Sequence, residues 1–166
     1  GVRTVSGDAC ELDEVLTSFD AMLGEPVKFD TVFIDAPCSG TGTMRRHPEI
    51  PWRLTEKDVT VELPKLQLTM LKEAAERVAA GGELIYATCS VFDEENTQVV
   101  DAFLNSPEGA GFSVAPLSEA QILQLPDFAQ AKKLVSVRQN DRGLFQSVPV
   151  NADSYDGHFC ARLVHK

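Results

Sequence analysis

A short apolar segment runs directly into a polar turn in the sequence FDTVFIDAPCSGTG, residues 29–42. A second segment of the same kind, LIYATCS at residues 84–90, also ends in a turn that contains a cysteine. Short runs of apolar, β-branched and aromatic residues are typical of parallel strands that are buried on both faces. We therefore predict two strands of an α/β sheet, one at residues 29–34 and one at residues 84–87.

A helix is predicted between the two strands, because apolar residues repeat at helical spacing over residues 63–78. Pro64 suits the first turn of this helix, and the pair Gly81-Gly82 suits its C-terminal end. A second helix is expected after the second strand, with the acidic residues 93–95 in its first turn, where they oppose the helix dipole. The strand–helix–strand unit should have a right-handed crossover and parallel strands.

The last third of the chain predicts antiparallel strands. We expect one strand at residues 112–115, a hairpin with arms at residues 134–137 and 144–148, and a final strand at residues 158–164. A further strand is expected near the start of the chain, at residues 3–5. The predicted fold class is therefore α/β, with a mixed sheet that is finished by antiparallel C-terminal strands.

Composition limits the class of protein. The 166 residues are 43% apolar and 24% charged, which is typical of a soluble globular domain, and no apolar run approaches the ~20 residues that span a bilayer. The net charge of −10 argues against nucleic acid binding over the whole surface, because phosphates need cationic partners. Arg45, Arg46, His47 and Arg53 are the local exception. If nucleic acid binds to this chain, it should bind there.

The four cysteines are widely spaced, at Cys10, Cys38, Cys89 and Cys160. Without a pair of cysteines two residues apart, a zinc site of the usual kind is not expected, and we predict no metal. The chain does not look secreted, so free thiols in a reducing compartment are favoured over disulfides. We predict a cytoplasmic location.

Two of these cysteines follow the two predicted strands directly. In open α/β sheets, ligands bind in the crevice at the carboxyl ends of the strands, and neighbouring strands lie about 4.8 Å apart. If the two strands are neighbours, Cys38 and Cys89 should face one small ligand from the same edge. The crossover between the strands is also longer than it needs to be, and residues 39–62, with the basic cluster, should loop over this edge.

Simpler interpretations exist for each of these features. Free cysteines are usually small buried hydrophobic residues, which is the favoured interpretation for Cys10 and Cys160. The sequence Gly40-Thr41-Gly42 lacks the third glycine of a dinucleotide-binding fingerprint. Arg45 and Arg46 could be an ordinary solvated pair, and the acidic residues 93–95 are most simply explained by helix-end electrostatics.

Three motifs together resemble a known family. They are DAPCSGTG at residues 35–42, RRHP at residues 45–48 and YATCS at residues 86–90. This combination resembles the Sun-type (Fmu-type) RNA cytosine-5 methyltransferases, with the nearest likeness to their bacterial ribosomal RNA enzymes. DNA cytosine-5 methyltransferases differ in that they lack the second, Thr-Cys motif. The resemblance implies a Rossmann-like fold, S-adenosylmethionine as the methyl donor and RNA as the partner.

The resemblance also implies roles for individual residues. Cys89 is the nucleophile that adds to carbon 6 of the target cytosine, and Cys38 assists release of the methylated product. Asp35 bonds the polar edge of the base. Asp8, in the segment Gly7-Asp8-Ala9, contacts the adenine part of the cofactor, and Asp35 and Pro37 also belong to the cofactor site. RNA contacts are expected from Arg45, Arg46 and His47.

The C-terminal segment YDGHF, residues 155–159, is similar to the family's terminal Asp-Gly-Phe-Phe pattern, with His158 where Phe is usual. Because of this difference, the side-chain packing beside the site is not expected to match the family's pattern fully.

The family's glycine-rich cofactor loop and its RNA-binding extension have no counterpart in residues 1–166. We therefore expect these residues to be the C-terminal portion of one catalytic domain, truncated at its N-terminus and inactive alone. In the family's usual sheet order, 3-2-1-4-5-7-6, strand 3 would be residues 3–5. Two other functions stay open: a non-catalytic scaffold fragment, and a thiol-redox α/β protein in which Cys38 and Cys89 form a reversible disulfide.

Overall fold

A computed structural model describes residues 2, 4–118, 139–149 and 155–166 of the chain. The described residues form four α-helices: α1 (Leu12–Leu23), α2 (Ile50–Arg53), α3 (Leu63–Ala75) and α4 (Thr97–Leu104). They also form five strands: β1 (Phe29–Asp35), β2 (Val78–Thr88), β3 (Phe112–Val114), β4 (Phe145–Ser147) and β5 (His158–His165). Short helical turns occupy Thr41–Thr43, Asp58–Glu62 and Asp93–Glu95.

The strands form one mixed sheet, in the order β1-β2-β5-β3, with β4 also paired to β5. Strands β1 and β2 are parallel, while β5 runs antiparallel to β2, β3 and β4. This confirms the predicted α/β class and its antiparallel C-terminal part. The order matches the last four positions of the usual methyltransferase sheet, with β1 and β2 in its fourth and fifth places.

The core lies between the sheet and the helices α3 and α4. Leu71 of α3, Phe103 of α4 and Leu84, Tyr86 and Leu163 of the sheet are all completely buried. Burial of each large apolar side chain stabilises the fold by roughly 1.5–3 kcal/mol. Because β2 pairs with β1 on one edge and with β5 on the other, it fixes the position of the turn that follows it.

The glycine pair after α3 has a different role from the one predicted. The helix ends at Ala75, and Val78 already pairs with Phe29 of β1. Gly81, with a φ of 75°, and Gly82 lie inside β2, at a register shift between the two strands. A Cβ atom at Gly82 would stand 2.9 Å from the carbonyl oxygen of Asp30, so the strands approach too closely there for a side chain. Glycine is suitable in β-bulges as well as at helix ends, so the pair alone does not distinguish the two structures.

Two other sequence predictions need correction. Residues 93–95 form a separate 3₁₀ turn, and α4 begins only at Thr97. No strand includes residues 4 and 5, and Val5 is half exposed; Arg3 lies outside the described residues.

The predicted hairpin stays a prediction, because its arm at residues 134–137 lies outside the described residues. Its other arm corresponds to β4, which pairs with β5 and forms an antiparallel bridge from Phe145 to Gln139.

Helix α1 was not predicted. Its C-terminal residue is followed by Gly24, whose φ of 78° is the left-handed conformation that commonly ends helices. The helix lies before β1 and begins directly after the turn that contains Asp8.

Candidate active site

The carboxyl ends of β1 and β2 meet at one edge of the sheet. Asp35, the last residue of β1, is level with Ala87, and the backbone amide of Ala36 donates to the carbonyl of Ala87 at 2.9 Å. Cys38 and Cys89 follow in the next turns, and their Sγ atoms lie 3.2 Å apart, within hydrogen-bond distance. Both side chains are half-buried. The predicted meeting of the two thiols is therefore confirmed.

The two thiols differ in their surroundings. Burial, together with the hydrogen bond to Cys89, raises the pKa of Cys38 to about 12. Cys38 therefore keeps its proton in neutral solution. A protonated thiol can donate a hydrogen bond or a proton, whereas nucleophilic attack needs a thiolate. Burial and the contact with Cys89 therefore favour the protonated form of Cys38.

A buried carboxylate connects the two cysteine turns. Glu95 is completely buried, and its Oε1 accepts hydrogen bonds from the backbone amide of Ser39 at 2.8 Å and from Nε2 of Gln67 at 3.1 Å. Its Oε2 accepts a bond from the hydroxyl of Ser90 at 2.5 Å. Ser39 follows Cys38, and Ser90 follows Cys89. One side chain therefore holds both turns at a fixed separation.

The bonds to Glu95 also explain how a carboxylate can be buried here. None of the ion pairs among the described residues includes Glu95. A buried charge is destabilising unless polar groups satisfy it. Here a backbone amide, an amide side chain and a hydroxyl donate to it. Gln67 also donates from Nε2 to the carbonyl of Pro37 at 3.0 Å, which adds a second restraint on the Cys38 turn.

A group of hydroxyls joins the turns directly. The Oγ atoms of Ser39 and Ser90 are 3.1 Å apart, and Oγ1 of Thr41 lies 3.1 Å from the first and 3.3 Å from the second. Oγ1 of Thr41 also accepts a hydrogen bond from the backbone amide of Val91 at 3.2 Å. In addition, the backbone amide of Gly42 donates to the carbonyl of Cys89 at 2.8 Å. The start of the 39–62 loop is thus bonded to the Cys89 turn.

The segment before β5 closes onto the same loop. Gly42 and Gly157 are in direct contact: the amide of Gly157 donates to the carbonyl of Gly42 at 2.9 Å, and a Cβ atom at Gly42 would lie only 2.1 Å from the carbonyl oxygen of Gly157. Two glycines are therefore needed where the segments cross. His158 points to solvent, while Phe159 is buried against Tyr86, so His158 does not alter the packing beside the site.

The predicted RNA-binding residues lie on this loop and have acidic partners. Arg45 and Arg46 pair with Asp156 at 3.3 Å and 2.6 Å, and their side chains are 44% and 60% exposed. His47 lies 3.4 Å from Glu49. Partial burial acts to raise the pKa of Asp156, but the hydrogen bond and charge of Arg46, with Arg45, lower it overall. The arginines are thus held by a carboxylate while part of each guanidinium faces solvent.

The predicted cofactor residues lie in the turn before α1 and at the end of β1. Asp8, Asp35 and Pro37 are exposed, and the carboxylate of Asp8 accepts a bond from the amide of Cys10 at 2.9 Å. Asp35 and Ala9 line one cavity of about 270 Å³, whose other lining residues are apolar. An apolar cavity with one carboxylate at its rim fits a flat, weakly polar ring that carries an amino group. Ala9 and Asp35 thus line the same cavity, whereas Asp8 and Pro37 do not line it.

The sequence pattern did not predict that Glu95 and Gln67 join the two cysteine turns. Glu95 belongs to an acidic run that resembles a solvated helix start, and its burial depends on donors as far as 56 residues away along the chain. Gln67 did give a signal, because it is a polar residue within the apolar stripe of α3 and is completely buried.

Two further findings concern the described part of the chain. No helix there is long and apolar enough to span a membrane. Nor does any cluster of three or more His, Cys, Asp or Glu side chains in those ranges have a geometry that could hold a metal ion.

The sequence of this chain is similar to those of known ribosomal RNA methyltransferases. Residues of this chain are 51% identical to ribosomal RNA small subunit methyltransferase B of Citrobacter koseri over 140 residues, which are 84% of this chain and 27% of that protein. The protein of the same name from Salmonella arizonae is 46% identical over 86 residues, 52% of this chain and 20% of that protein. The chain thus spans about a quarter or less of these curated relatives.

Solved structures share the fold. NSun6 from Pyrococcus horikoshii, with SFG, matches 99% of this chain and 35% of its own, with a TM-score of 0.68 and 22% identity. A methyltransferase homolog protein from the same organism matches 96% of this chain and 43% of its own, with a TM-score of 0.61 and 22% identity. The profile of the family described as 16S rRNA methyltransferase RsmB/F matches residues 2–164, and this chain therefore belongs to that family.

Proposed function

We propose that the protein to which this chain belongs methylates carbon 5 of a cytosine in ribosomal RNA, through a covalent bond between Cys89 and the base. The observation that carries the proposal is the 3.2 Å contact between the Sγ atoms of Cys38 and Cys89 at the carboxyl edge of β1 and β2. Membership of the RsmB/F family supports RNA as the substrate class.

The chemistry explains why two thiols are needed. Carbon 5 of cytosine is a poor nucleophile, and addition of the Cys89 thiolate to carbon 6 gives it enamine character. Carbon 5 can then attack the methyl group, after which water takes the proton of carbon 5 and the electron pair of that C–H bond expels the Cys89 sulfur from carbon 6. Cys38, which is protonated at neutral pH, is placed to donate to the departing Cys89 sulfur and so to assist release. Glu95 keeps the two sulfurs at the distance that this exchange requires.

S-adenosylmethionine supplies, when bound, a methyl group on a positively charged sulfur. The apolar cavity lined by Ala9 and Asp35 supports Asp35 as part of the cofactor site, and Asp8 and Pro37 are proposed to contact the cofactor from beside this cavity. NSun6 from Pyrococcus horikoshii was solved with SFG, an analogue of this cofactor, which agrees with the same choice. From the end of β1, Asp35 would also bond the polar edge of the cytosine and stabilise the charge that develops there.

The RNA is proposed to approach over the 39–62 loop, where the exposed parts of Arg45, Arg46 and His47 would contact phosphates. A cytosine must leave its stack to reach the two thiols, which favours single-stranded or loop RNA. We also propose that the reaction takes place in the cytoplasm.

We propose further that residues 1–166 are the C-terminal portion of one catalytic domain, because they align with no more than about a quarter of the curated relatives. This portion should have little affinity for the cofactor by itself. Titration calorimetry of residues 1–166 with S-adenosylmethionine should give no measurable heat, and micromolar binding would refute the proposal.

The methylation is tested with the intact protein and RNA from a strain that lacks it. Mass spectrometry should detect new 5-methylcytidine with the wild-type protein and with Cys160→Ala, which removes a half-buried thiol outside the pair. Cys89→Ala should give none. Cys38→Ala should instead accumulate a covalent complex with unmodified cytosine RNA. Methylation by Cys89→Ala at the wild-type rate would reject Cys89 as the nucleophile.

The sulfur contact also favours a second function, a thiol-redox protein. In that case both thiols would lose their hydrogens to an oxidant and form a disulfide that dithiothreitol reduces. Such a protein would show a reversible mass loss of two hydrogens in the Cys38 and Cys89 peptides, and it would form no adduct with RNA.

A further inference from the structure

A cavity of about 320 Å³ lies between the 39–62 loop and the turn after β2, and the proposed reaction does not use it. We call it the loop cavity. Its walls are mainly apolar, and its mouth carries two acids; the residues that matter here are Met44, Leu54, Val59, Phe92, Glu56 and Glu94. The volume is within the range of sites that bind small organic groups.

The loop cavity is attached to the nucleophile turn. Phe92, one of its walls, stands three residues after Cys89. Thr41, another lining residue, accepts a hydrogen bond from the amide of Val91, and the amide of the next residue, Gly42, donates to the carbonyl of Cys89. A group bound in the cavity would therefore lie against the turn that carries Cys89.

The walls suit a flat ring. Phe92 is 38% exposed and Met44 is 37% exposed, which leaves an aromatic ring and a thioether available for contact with a ligand. Aromatic side chains stack with nucleobases, and this interaction tolerates any base. Glu56 and Glu94 at the mouth can accept hydrogen bonds from ring amino groups, but they repel phosphates. The cavity therefore favours a base over a backbone.

The stretch of chain that leads into the cavity carries a local excess of arginines, two of which share the carboxylate of Asp156 and remain partly exposed. Between Thr41 and Arg53 the chain has three arginines and one glutamate, although its net charge is −10. Trp52, at the tip of this stretch, is 89% exposed. Cations outside the cavity and an apolar interior together match a nucleotide whose phosphate stays at the surface while its base enters.

We propose that the loop cavity receives the base of a nucleotide that neighbours the target cytosine. This inference rests on the proposed function and adds to it a determinant of which cytosine is chosen. The residues that line the cavity would bind RNA without taking part in the methyl transfer.

The test uses the intact protein and a short single-stranded RNA with one cytosine between adenines, labelled for fluorescence anisotropy. Thr60→Trp fills the cavity from an exposed lining position, and Val61→Trp places the same side chain at the adjacent, 49% exposed position that does not line it. We expect Thr60→Trp to weaken binding about tenfold, which corresponds to the loss of one stacked base, and Val61→Trp to leave it unchanged. Matching melting temperatures would show that both variants fold.

A second arm does not depend on any variant. Replacing one neighbouring nucleotide at a time with an abasic residue should weaken binding to the wild-type protein at one of the two positions. The same abasic RNA should bind equally to wild type and Thr60→Trp. Equal binding of the adenine RNA to Thr60→Trp and Val61→Trp, equal binding of all abasic RNAs to the wild-type protein, or no RNA binding at all would overturn the inference.

The outcome separates this inference from the proposed function. If RNA that carries 5-fluorocytosine forms an adduct with wild type, Thr60→Trp and Val61→Trp alike, and all bind with equal affinity, the methyl transfer stands and only the cavity's role falls. If binding depends on the cavity but no adduct forms, the cavity's role stands and the proposed chemistry falls.

Discussion

The two groups of proposed site residues differ in how firmly the described structure holds them. On the cysteine side, defined by Cys38, Cys89 and Glu95, a fully buried carboxylate and a group of hydroxyls fix the turns to one another. On the cofactor side, defined by Asp8, Asp35 and Pro37, all three residues are exposed. The positions of the two thiols are therefore fixed by contacts within the described residues, whereas the proposed cofactor site would need contacts beyond these three residues. Substitutions on the cysteine side should therefore act by moving the two turns that carry Cys38 and Cys89.

The largest effect is expected on the reactivity of Cys38. Because burial and the Cys89 hydrogen bond raise its pKa from 9.0 to about 12, its thiolate fraction near neutral pH should be roughly a thousandfold below that of an ordinary thiol. Alkylation of Cys38 by iodoacetamide, followed by peptide mass spectrometry, should be correspondingly slow and should accelerate tenfold per pH unit up to pH 11.

The sign of the linked stability follows from the same pKa. Because the pKa of Cys38 is higher in the folded chain than in the unfolded chain, the protonated thiol stabilises the fold at pH values below the unfolded-state pKa. This stabilisation is lost as the pH rises through the folded-state pKa.

The control for the alkylation experiment is the chain unfolded in urea, where Cys38 should react with iodoacetamide at the rate of an ordinary thiol. Equal rates in the folded and unfolded chain would contradict the buried, hydrogen-bonded thiol.

The next largest effect is expected for Glu95→Ala. The substitution leaves the buried Ser39 amide without its acceptor, while Gln67 keeps the carbonyl of Pro37 and Ser90 keeps the hydroxyls of Ser39 and Thr41. A buried group left unpaired costs about 1–3 kcal/mol, and we expect the free energy of unfolding to fall by about that amount in a urea titration. Asp93→Ala, an exposed acid in the same 3₁₀ turn, is the matched control and should change it little. Equal effects of the two variants would show that Glu95 does not hold the turns.

A similar effect is expected for Gly42→Ala, which tests the contact between the 39–62 loop and the segment before β5. The new Cβ atom would meet the carbonyl of Gly157 at 2.1 Å, so one backbone segment must move. Overpacking of this kind costs about 1–3 kcal/mol, measurable as a lower melting temperature. Gly24→Ala adds the same atom in open space at the end of α1, and its smaller effect comes from the positive φ alone. A smaller fall in melting temperature for Gly42→Ala than for Gly24→Ala would contradict the close contact between Gly42 and Gly157.

The smallest effect is expected for Asp156→Asn, which removes the acidic partner of Arg45 and Arg46. Their charges lower the pKa of Asp156, so its ion pairs stabilise the fold at neutral pH and lose this effect as pH falls through the lowered pKa. Exposed pairs contribute little, and we expect the melting temperature to fall by about 1–2 °C at pH 7. The melting temperatures of the variant and the wild type should converge in acid. A difference that grows in acid would contradict the stabilising ion pairs of Asp156.

The sequence allowed prediction of the parts that depend on local pattern and on topology. The apolar runs of β1 and β2 are short and continuous, and a parallel pair must bring its following turns to one edge, so the contact of Cys38 with Cys89 was predictable. Helix α1 also had a signal, since Leu12, Val15, Leu16 and Phe19 follow helical spacing before Gly24.

Other features depend on contacts that no local pattern contains. Gly81 and Gly82 fit a helix end as well as a strand bulge, and only the approach of Asp30 from β1 decides between them. Glu95 looks like a solvated acid until Ser39 and Gln67 are brought to it from other parts of the chain. The contact of Gly42 with Gly157 joins residues that are 115 positions apart in the sequence.

The central claim is that Cys89 attacks the base while Cys38 stays protonated beside it. The most direct measurement is peptide mapping of the covalent complex between the intact protein and RNA carrying 5-fluorocytosine, whose fluorine prevents loss of the group at carbon 5 and so keeps the thiol attached. The account predicts that tandem mass spectrometry will find the nucleotide on the peptide with Cys89 and none on the peptide with Cys38. A nucleotide attached to Cys38, or a complex that still forms in Cys89→Ala, would contradict it.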